Sequence, residues 1–174
     1  MIALLSLPSP LHPAVVHFPI VLLLLGSAVA VAAAFTKRWQ LPLVAGLLLG
    51  LGAIGSVVAV QTGERDGEIV GETPALEAVL EQHEEWAERT QVASIVAALL
   101  AVAALLTTRW PVVRRSISIV TGVGALLVTW CVIQTGHYGG QLVYRHGAGV
   151  NLTAGSTGPA TGETAKKQRK HDDD

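Results

Sequence analysis

The chain has little charge, few aromatic side chains and a single cysteine. Only 14% of its 174 residues are charged and 5% are aromatic, whereas 51% are hydrophobic. This composition is too apolar for an ordinary soluble domain. Because Cys131 stands alone, an intramolecular disulfide and a cysteine-based zinc site are both excluded. The formal net charge of −1 gives no electrostatic footprint for nucleic acid, so we expect no nucleic-acid partner.

Sequence motifs for catalysis and for covalent cofactor attachment are also missing. The chain contains no CxxCH, HExxH or Walker loop. Cys131 lies in an apolar run, where nothing activates a thiol nucleophile, and we therefore do not expect a nucleophile-based enzyme. No lysine or arginine precedes the first apolar segment, so we expect that segment to be a membrane helix and not a cleaved signal peptide.

Four long apolar stretches dominate what the chain does contain. The stretches cover about residues 13–35, 41–61, 91–108 and 116–135, and they predict helices over about 13–35, 41–61, 74–108 and 112–136. Each apolar stretch has close to the roughly 20 residues that span a bilayer, and none of the stretches shows a polar face. Helix two ends in Gln61-Thr62-Gly63 and helix four in Gln134-Thr135-Gly136. The sequence therefore predicts an all-α, integral-membrane four-helix bundle in the lipid bilayer, built of two similar helical hairpins.

The third helix is longer than one membrane span. Thr73-Pro74 is a typical start, with an N-cap residue followed by proline in the first helical position. Acidic and apolar residues then alternate at helical spacing, which predicts an amphipathic extramembrane extension over residues 74–90. After helix four, the high glycine content of residues 136–150 predicts a lid that is not helical. Residues 151–174 are predicted to be a disordered tail.

The positions of the basic residues predict the orientation. The two short connections contain Lys37 and Arg38 in one, and Arg109, Arg114 and Arg115 in the other. By the positive-inside rule these connections face the cytoplasm. We therefore expect a multi-pass protein of the bacterial inner membrane with both termini outside.

Histidines and carboxylates gather on the predicted outer side, where ionisable groups near a membrane are candidates for function. In one reading, His17 pairs with His83 or His137 as axial ligands of a haem b, because haem needs two histidines across a slot between helices. Arg89 or Arg145 would then lie near the haem propionates.

Two other readings of the same residues remain open. Imidazole and carboxylate groups can hold a transition metal directly, which gives a site formed by His12, His17, His83, Asp66 and Glu84. Alternatively, the cluster only stabilises the outer rim and binds no cofactor. The corresponding functions are a haem b-associated electron-transfer component with a redox partner, or a non-enzymatic membrane-complex subunit whose rim binds a partner protein or a metal. A homo-oligomer is compatible with either.

Two longer motifs resemble a known family. His12-Pro13 with His17-Phe18-Pro19 opens helix one, and the run from Gly136 to Val150 follows helix four. Together with Thr62, Gly63 and Asp66, they resemble the bacterial "domain of unknown function 2231" family of small four-helix inner-membrane proteins. The resemblance covers roughly residues 11–150 and implies the four-helix topology. The layout is also similar to that of di-haem b-type membrane cytochromes, but it is compatible with at most one haem, near the outer face.

Overall fold

The computed structural model describes residues 11–36, 38–67, 73–107 and 109–148, and these residues form helices without any strand. The elements are α1 (His12–Val15), α2 (His17–Phe35), α3 (Gln40–Gly67), α4 (Pro74–Leu106) and α5 (Pro111–His146). The one-turn helix α1 and α2 together, and each of α3, α4 and α5, are long and apolar enough to cross a membrane. The predicted all-α membrane bundle of four helices is confirmed.

The long helices form a closed ring. α2 packs against α3 and α5, and α4 packs against the same two helices, as in an antiparallel four-helix bundle. We call the end of the bundle that holds His12, His83 and the last turns of α3 and α5 the histidine end. The opposite end, where α3 and α5 begin, carries Arg38, Arg114 and Arg115 and is called the arginine end.

Small residues let neighbouring helices approach closely, which is how helices associate in a membrane. A Cβ at Gly52 would lie 2.7 Å from Cδ2 of Leu23, and a Cβ at Gly26 would lie 3.0 Å from the backbone nitrogen of Leu49. Both contacts join α2 to α3. Alanine is the most frequent buried residue, whereas most large aliphatic residues point outward, with Ile54, for example, 64% exposed. The apolar side chains therefore cover the outer surface that lipid would contact.

Two hydroxyl pairs connect helices inside the bundle. Ser56 of α3 lies 3.4 Å from Ser94 of α4, and Thr90 of α4 lies 3.0 Å from Thr135 of α5, measured between hydroxyl oxygens. Each hydroxyl also lies within hydrogen-bond distance of a carbonyl of its own helix, so in each pair one hydroxyl can donate to the other while the second donates to its carbonyl. Such pairs supply polar contacts in an otherwise apolar interior, and they fix the register of α4 against both neighbours below the histidine end.

α1 and α2 are nearly one helix. Pro19 has no backbone N–H to donate to the carbonyl of Val15, so the hydrogen-bond ladder is interrupted there. Val16 nevertheless keeps helical angles, with φ −62° and ψ −29°. The break therefore loosens the first turn without reversing the chain, and His12 and His17 lie on consecutive turns.

The start of α4 confirms the sequence prediction. Thr73 has extended angles, φ −124° and ψ 143°, and its hydroxyl accepts a hydrogen bond from the backbone N–H of Leu76 at 3.4 Å. Pro74 occupies the first helical position. This is the arrangement that a threonine N-cap followed by proline predicts.

The glycine-rich segment after helix four does not match the prediction. Residues 136–146 continue α5 as a helix, so the expected non-helical lid is wrong for this part of the segment. Glycine costs a helix about 1 kcal/mol per residue relative to alanine, but packing against α4 offsets that cost, because Gly139 contacts His83 and Leu142 is buried. The helix ends at Gly147, whose φ of 66° is left-handed. Residues 149–150 and the predicted tail at 151–174 lie outside the described residues.

Candidate functional site at the histidine end

Two histidines from different hairpins lie beside each other at the histidine end. The ring centroids of His12, on α1, and His83, on α4, are 6.1 Å apart, and the ring planes are nearly perpendicular at 89°. Both residues are half-buried. The sequence placed both among the candidate metal ligands, whereas its haem reading paired His17 with His83 or with His137.

His12 is fixed by contacts with the outer part of α3. Its Nδ1 lies 2.9 Å from the carbonyl oxygen of Ala59. Its ring packs where a side chain at Gly63 would be, since a Cβ there would lie 3.0 Å from Cε1 of the imidazole. Its backbone N–H donates to Oδ2 of Asp66 at 2.8 Å. Asp66 therefore anchors the first turn of α1 and does not contact the ring.

His83 repeats this arrangement against α5. Its Nδ1 lies 2.9 Å from the carbonyl oxygen of Thr135, and a Cβ at Gly139 would lie 3.1 Å from its Cε1. In both hairpins the glycine comes four residues after the carbonyl that the histidine binds. The Cβ of a helical residue tilts toward the helix N-terminus, over the carbonyl of the preceding turn. Glycine leaves that carbonyl open, so an imidazole can reach it.

The structural repeat differs in register from the sequence repeat. The Gln-Thr-Gly tripeptides align Gly63 with Gly136, whereas the histidine contacts align Gly63 with Gly139. A Cβ at Gly136 would meet no atom within 4 Å. The equivalence depends on which glycine faces an imidazole, and the tripeptides carry no signal for that contact.

The hydrogen bonds determine which nitrogen of each ring carries the proton. A backbone carbonyl can only accept, so Nδ1 of both His12 and His83 must be the N–H donor. In the neutral ring Nε2 then bears the lone pair, and no hydrogen bond to Nε2 of either ring occurs among the described residues. A backbone carbonyl that orients Nδ1–H and leaves Nε2 available is the usual support of a metal-binding histidine.

The environment of His83 favours its neutral form. His83 belongs to the acidic part of α4, outside the apolar segment that begins at about residue 91. Burial lowers the pKa of His83, the neighbouring His12 lowers it further, and the bond to Thr135 opposes both effects. Burial also raises the pKa of the nearby Glu84 carboxyl, with further contributions from Glu64, Glu88 and Glu81. A neutral imidazole is the form that binds a metal.

The other predicted histidines lie away from the pair. His17 is exposed, and its Nδ1 bonds the carbonyl oxygen of Pro13 at 2.8 Å. His137 is also exposed and bonds the side chain of Gln141 at 2.9 Å. Both contacts are made within the same helical segment, four residues apart. No ring contact among the described residues joins either histidine to His83.

The described contacts of the predicted arginines and of Glu84 are with residues other than the two histidines. Arg89 forms an ion pair with Glu85 and lies over the ring of Trp86, 4.6 Å from its centroid. Arg145 donates to the side-chain oxygen of Gln141 at 3.2 Å. Glu84 lies beside α3, since its Oε1 would be 3.5 Å from a Cβ at Gly67. Within the described part of the chain, no three His, Cys, Asp or Glu side chains converge as a ready metal site.

Comparison with known proteins shows the family. The family model described as "Predicted membrane protein (DUF2231)" matches residues 8–152, and the chain therefore belongs to this family. No curated protein and no solved structure matches the chain.

Proposed function

We propose that this member of a family of predicted membrane proteins binds one haem b through His12 and His83 and serves as an electron-transfer component of the membrane. The observation that carries the proposal is the pair itself. Two imidazoles from opposite hairpins have Nδ1 fixed by a carbonyl, leave Nε2 available, and lie 6.1 Å apart between ring centroids.

The spacing and the number of ligands favour haem over a bare metal ion. Two imidazole nitrogens that each bind one metal at about 2 Å hold their ring centres about 6 Å apart, close to the separation of His12 and His83. A metal held only by protein typically needs three or four side-chain ligands. The porphyrin supplies its own nitrogens, so haem needs no more than two axial histidines and carries one electron at a time.

A planar group would have to enter from one side of the pair. On the side of α3 and α4 the helices are in contact, since a Cβ at Gly67 would lie 3.8 Å from Leu80. α1 packs against α2 and α3, so we place the entry between α1 and α5. Arg145 is the better propionate partner, because its described contact is with the neutral Gln141, whereas Arg89 already pairs with Glu85.

A direct transition-metal site is the second candidate. Its support is the position of two carboxylates, Asp66 on the backbone N–H of His12 and Glu84 beside the last turn of α3. Rotation of either side chain could add an oxygen ligand to the two imidazoles. The protein would then be a non-enzymatic membrane-complex subunit whose outer rim holds a metal or a partner protein.

A reduced-minus-oxidised absorption spectrum, with elemental analysis of the same sample, distinguishes the two candidates. We expect full-length protein purified in mild detergent from haem-replete cells to show a haem b spectrum. His12→Ala and His83→Ala should each abolish it. A colourless sample with one equivalent of metal would favour the direct site, and a sample without either would overturn both candidates.

His17→Ala and His137→Ala are the matched controls, because both histidines lie at the same end but bond only within their own helical segments. Both should keep the haem spectrum. Loss of the spectrum in His17→Ala together with its retention in His12→Ala would show that the wrong pair had been chosen. Size-exclusion profiles of all four variants identify any loss that reflects misfolding.

The proposal includes an orientation. We place the protein in the bacterial inner membrane with the histidine end outside. This placement is supported by the positive-inside rule, because Arg38, Arg109, Arg114 and Arg115 all lie at the other end. A redox partner would then approach the haem from outside the cytoplasm.

A further inference from the structure

A second polar feature lies at the arginine end, on the opposite side of the bundle from the histidines. A cavity of about 130 Å³ opens there between the end of α2, the start of α3 and the first turns of α5. Three arginines line it, Arg38, Arg114 and Arg115, together with Thr36 and the buried Ser118. We propose that this cavity binds a phosphate group, most directly that of an anionic phospholipid.

Charge is the first argument. The first 63 residues contain no aspartate or glutamate, and neither do residues 89–162. All described acidic residues therefore belong to the histidine end, and no described carboxylate lies near Arg38 or Arg115. Arginine binds phosphate oxygens through two parallel N–H donors, which makes it the preferred residue for this group. A phosphate would thus supply a counter-charge to Arg38 and Arg115.

The start of α5 adds a second positive feature that attracts anions. Pro111 occupies the first helical position, and the preceding Trp110 provides no side-chain cap. The backbone N–H groups of an uncapped helix start favour an anion, and so does the positive end of the helix dipole. Pro111, which has no N–H itself, lines the cavity, so the positive end of the α5 dipole lies beside the arginines.

Size and depth are consistent with the ligand. One water occupies about 30 Å³ of liquid, so 130 Å³ accommodates roughly four oxygen-sized groups, as in a phosphate. Trp39 and Trp110 are exposed at the same end, at 56% and 64%. Tryptophan is enriched where the membrane meets water, so the cavity lies at the depth of lipid headgroups. Basic pockets between membrane helices on the cytoplasmic side are a recurring way to hold anionic lipids.

Topology alone is the simpler explanation of these arginines, because the positive-inside rule requires charge but no cavity. Arg109 separates the two explanations. It is an exposed arginine of the same connection, but it does not line the cavity. A phosphate site should depend on Arg38 and Arg115 and be indifferent to Arg109, whereas a general surface potential would depend on all three.

Lipid binding to the full-length protein in mild detergent tests the proposal by native mass spectrometry. The probes are phosphatidylglycerol, zwitterionic phosphatidylcholine and inorganic phosphate. We expect saturable binding of phosphatidylglycerol, weakened at least tenfold by Arg38→Gln or Arg115→Gln and less than twofold by Arg109→Gln. Arg115→Lys should retain part of the affinity, because it keeps the charge but loses the paired donors.

Comparison of the three probes identifies whether the phosphate belongs to a lipid or to a soluble ligand. Competition by inorganic phosphate, or binding of inorganic phosphate without any lipid binding, would support the same site with a soluble ligand. If no probe binds saturably, the proposal is overturned. It is also overturned if Arg109→Gln weakens binding as much as Arg115→Gln, because the effect would then come from surface charge.

Discussion

At the scale of single residues, the arrangement of the histidine end depends on two glycines, which have no side chain. Gly63 and Gly139 leave open the helix carbonyls that His12 and His83 bind. Each bond fixes an imidazole tautomer and directs its lone pair away from the helix that holds it. The chemistry therefore depends on glycine as much as on histidine, although only histidine could be identified from the sequence as a candidate ligand.

Gly139→Ala should displace His83, and Gly136→Ala should not. Both positions are helical, so alanine would raise the helix propensity at either by up to about 1 kcal/mol. At Gly136 the new methyl meets nothing within 4 Å, whereas at Gly139 it would lie 3.1 Å from the His83 ring. We expect the melting temperature in detergent to rise or stay equal for Gly136→Ala. Gly139→Ala should melt lower, by an amount equivalent to about 1 kcal/mol for the lost hydrogen bond.

The haem content of the glycine-to-alanine variants provides a second measurement. If His12 and His83 bind haem, Gly63→Ala and Gly139→Ala should both reduce the haem content, and Gly136→Ala should leave it unchanged. Equal behaviour of all three variants would show that neither glycine positions a ligand. Gly63→Ala is informative by itself, because its new methyl would lie 3.0 Å from the His12 ring.

Acidification should destabilise the fold through His83. Burial lowers the pKa of His83 in the folded protein below its ordinary value of 6.5. The unfolded chain therefore takes up a proton at a higher pH than the folded chain does. The stability that comes from the neutral ring is complete above pH 6.5 and is lost as the pH falls from there toward the folded-state pKa. Glu84 acts in the opposite direction, because its carboxyl pKa is raised by folding.

Thermal unfolding of the wild type and of His83→Asn at pH 7.5 and pH 5.5 separates these contributions. The side-chain amide of asparagine keeps a donor near the position of Nδ1 for the Thr135 carbonyl but does not titrate, and Glu84 is common to both proteins. The melting temperature of the wild type should fall more on acidification than that of the variant. An equal fall in both proteins would exclude His83 as the group responsible.

At the scale of helices, the sequence predicted the membrane spans well but placed the end of the last helix about ten residues too early. Long uncharged runs identify membrane helices because a helix satisfies its backbone hydrogen bonds within its own segment, as the lipid interior requires. The Thr73-Pro74 start was readable because capping is local. The helical path of residues 136–146 was not, because it depends on contacts of Gly139 and Leu142 with α4 that local propensity does not include. For the same reason the sequence did not indicate that the ring of His83 lies beside that of His12.

The cap at Thr73 should determine how firmly the acidic extension of α4 is held. Thr73→Ala removes the hydroxyl that accepts from Leu76 N–H and should cost about 1 kcal/mol. The loss should appear as about fivefold faster hydrogen exchange of the first-turn amides of α4. Thr73→Ser keeps the hydroxyl and should exchange like the wild type. Slow exchange in both variants would mean that tertiary contacts, and not the cap, hold this turn.

At the scale of the whole molecule, charge divides the bundle into two unlike ends. The described acids, and the histidines that form the candidate site, lie at one end, and the arginines of the two short connections lie at the other. The span between them contains apolar residues and paired hydroxyls. A ligand at one end therefore acts from one side of the membrane only, so the orientation of the chain decides which compartment each site meets.

Single cysteines can determine that orientation, because the native Cys131 is buried. Glu77 at the histidine end and Gln40 at the arginine end are both exposed, so Glu77→Cys and Gln40→Cys make a matched pair. With the arginines inside, a membrane-impermeant maleimide should label Glu77→Cys in intact spheroplasts and Gln40→Cys only after permeabilisation. The wild type should stay unlabelled in both conditions. Labelling of Gln40→Cys alone in intact spheroplasts would show the opposite orientation, with the histidine pair in the cytoplasm and the arginine cavity outside.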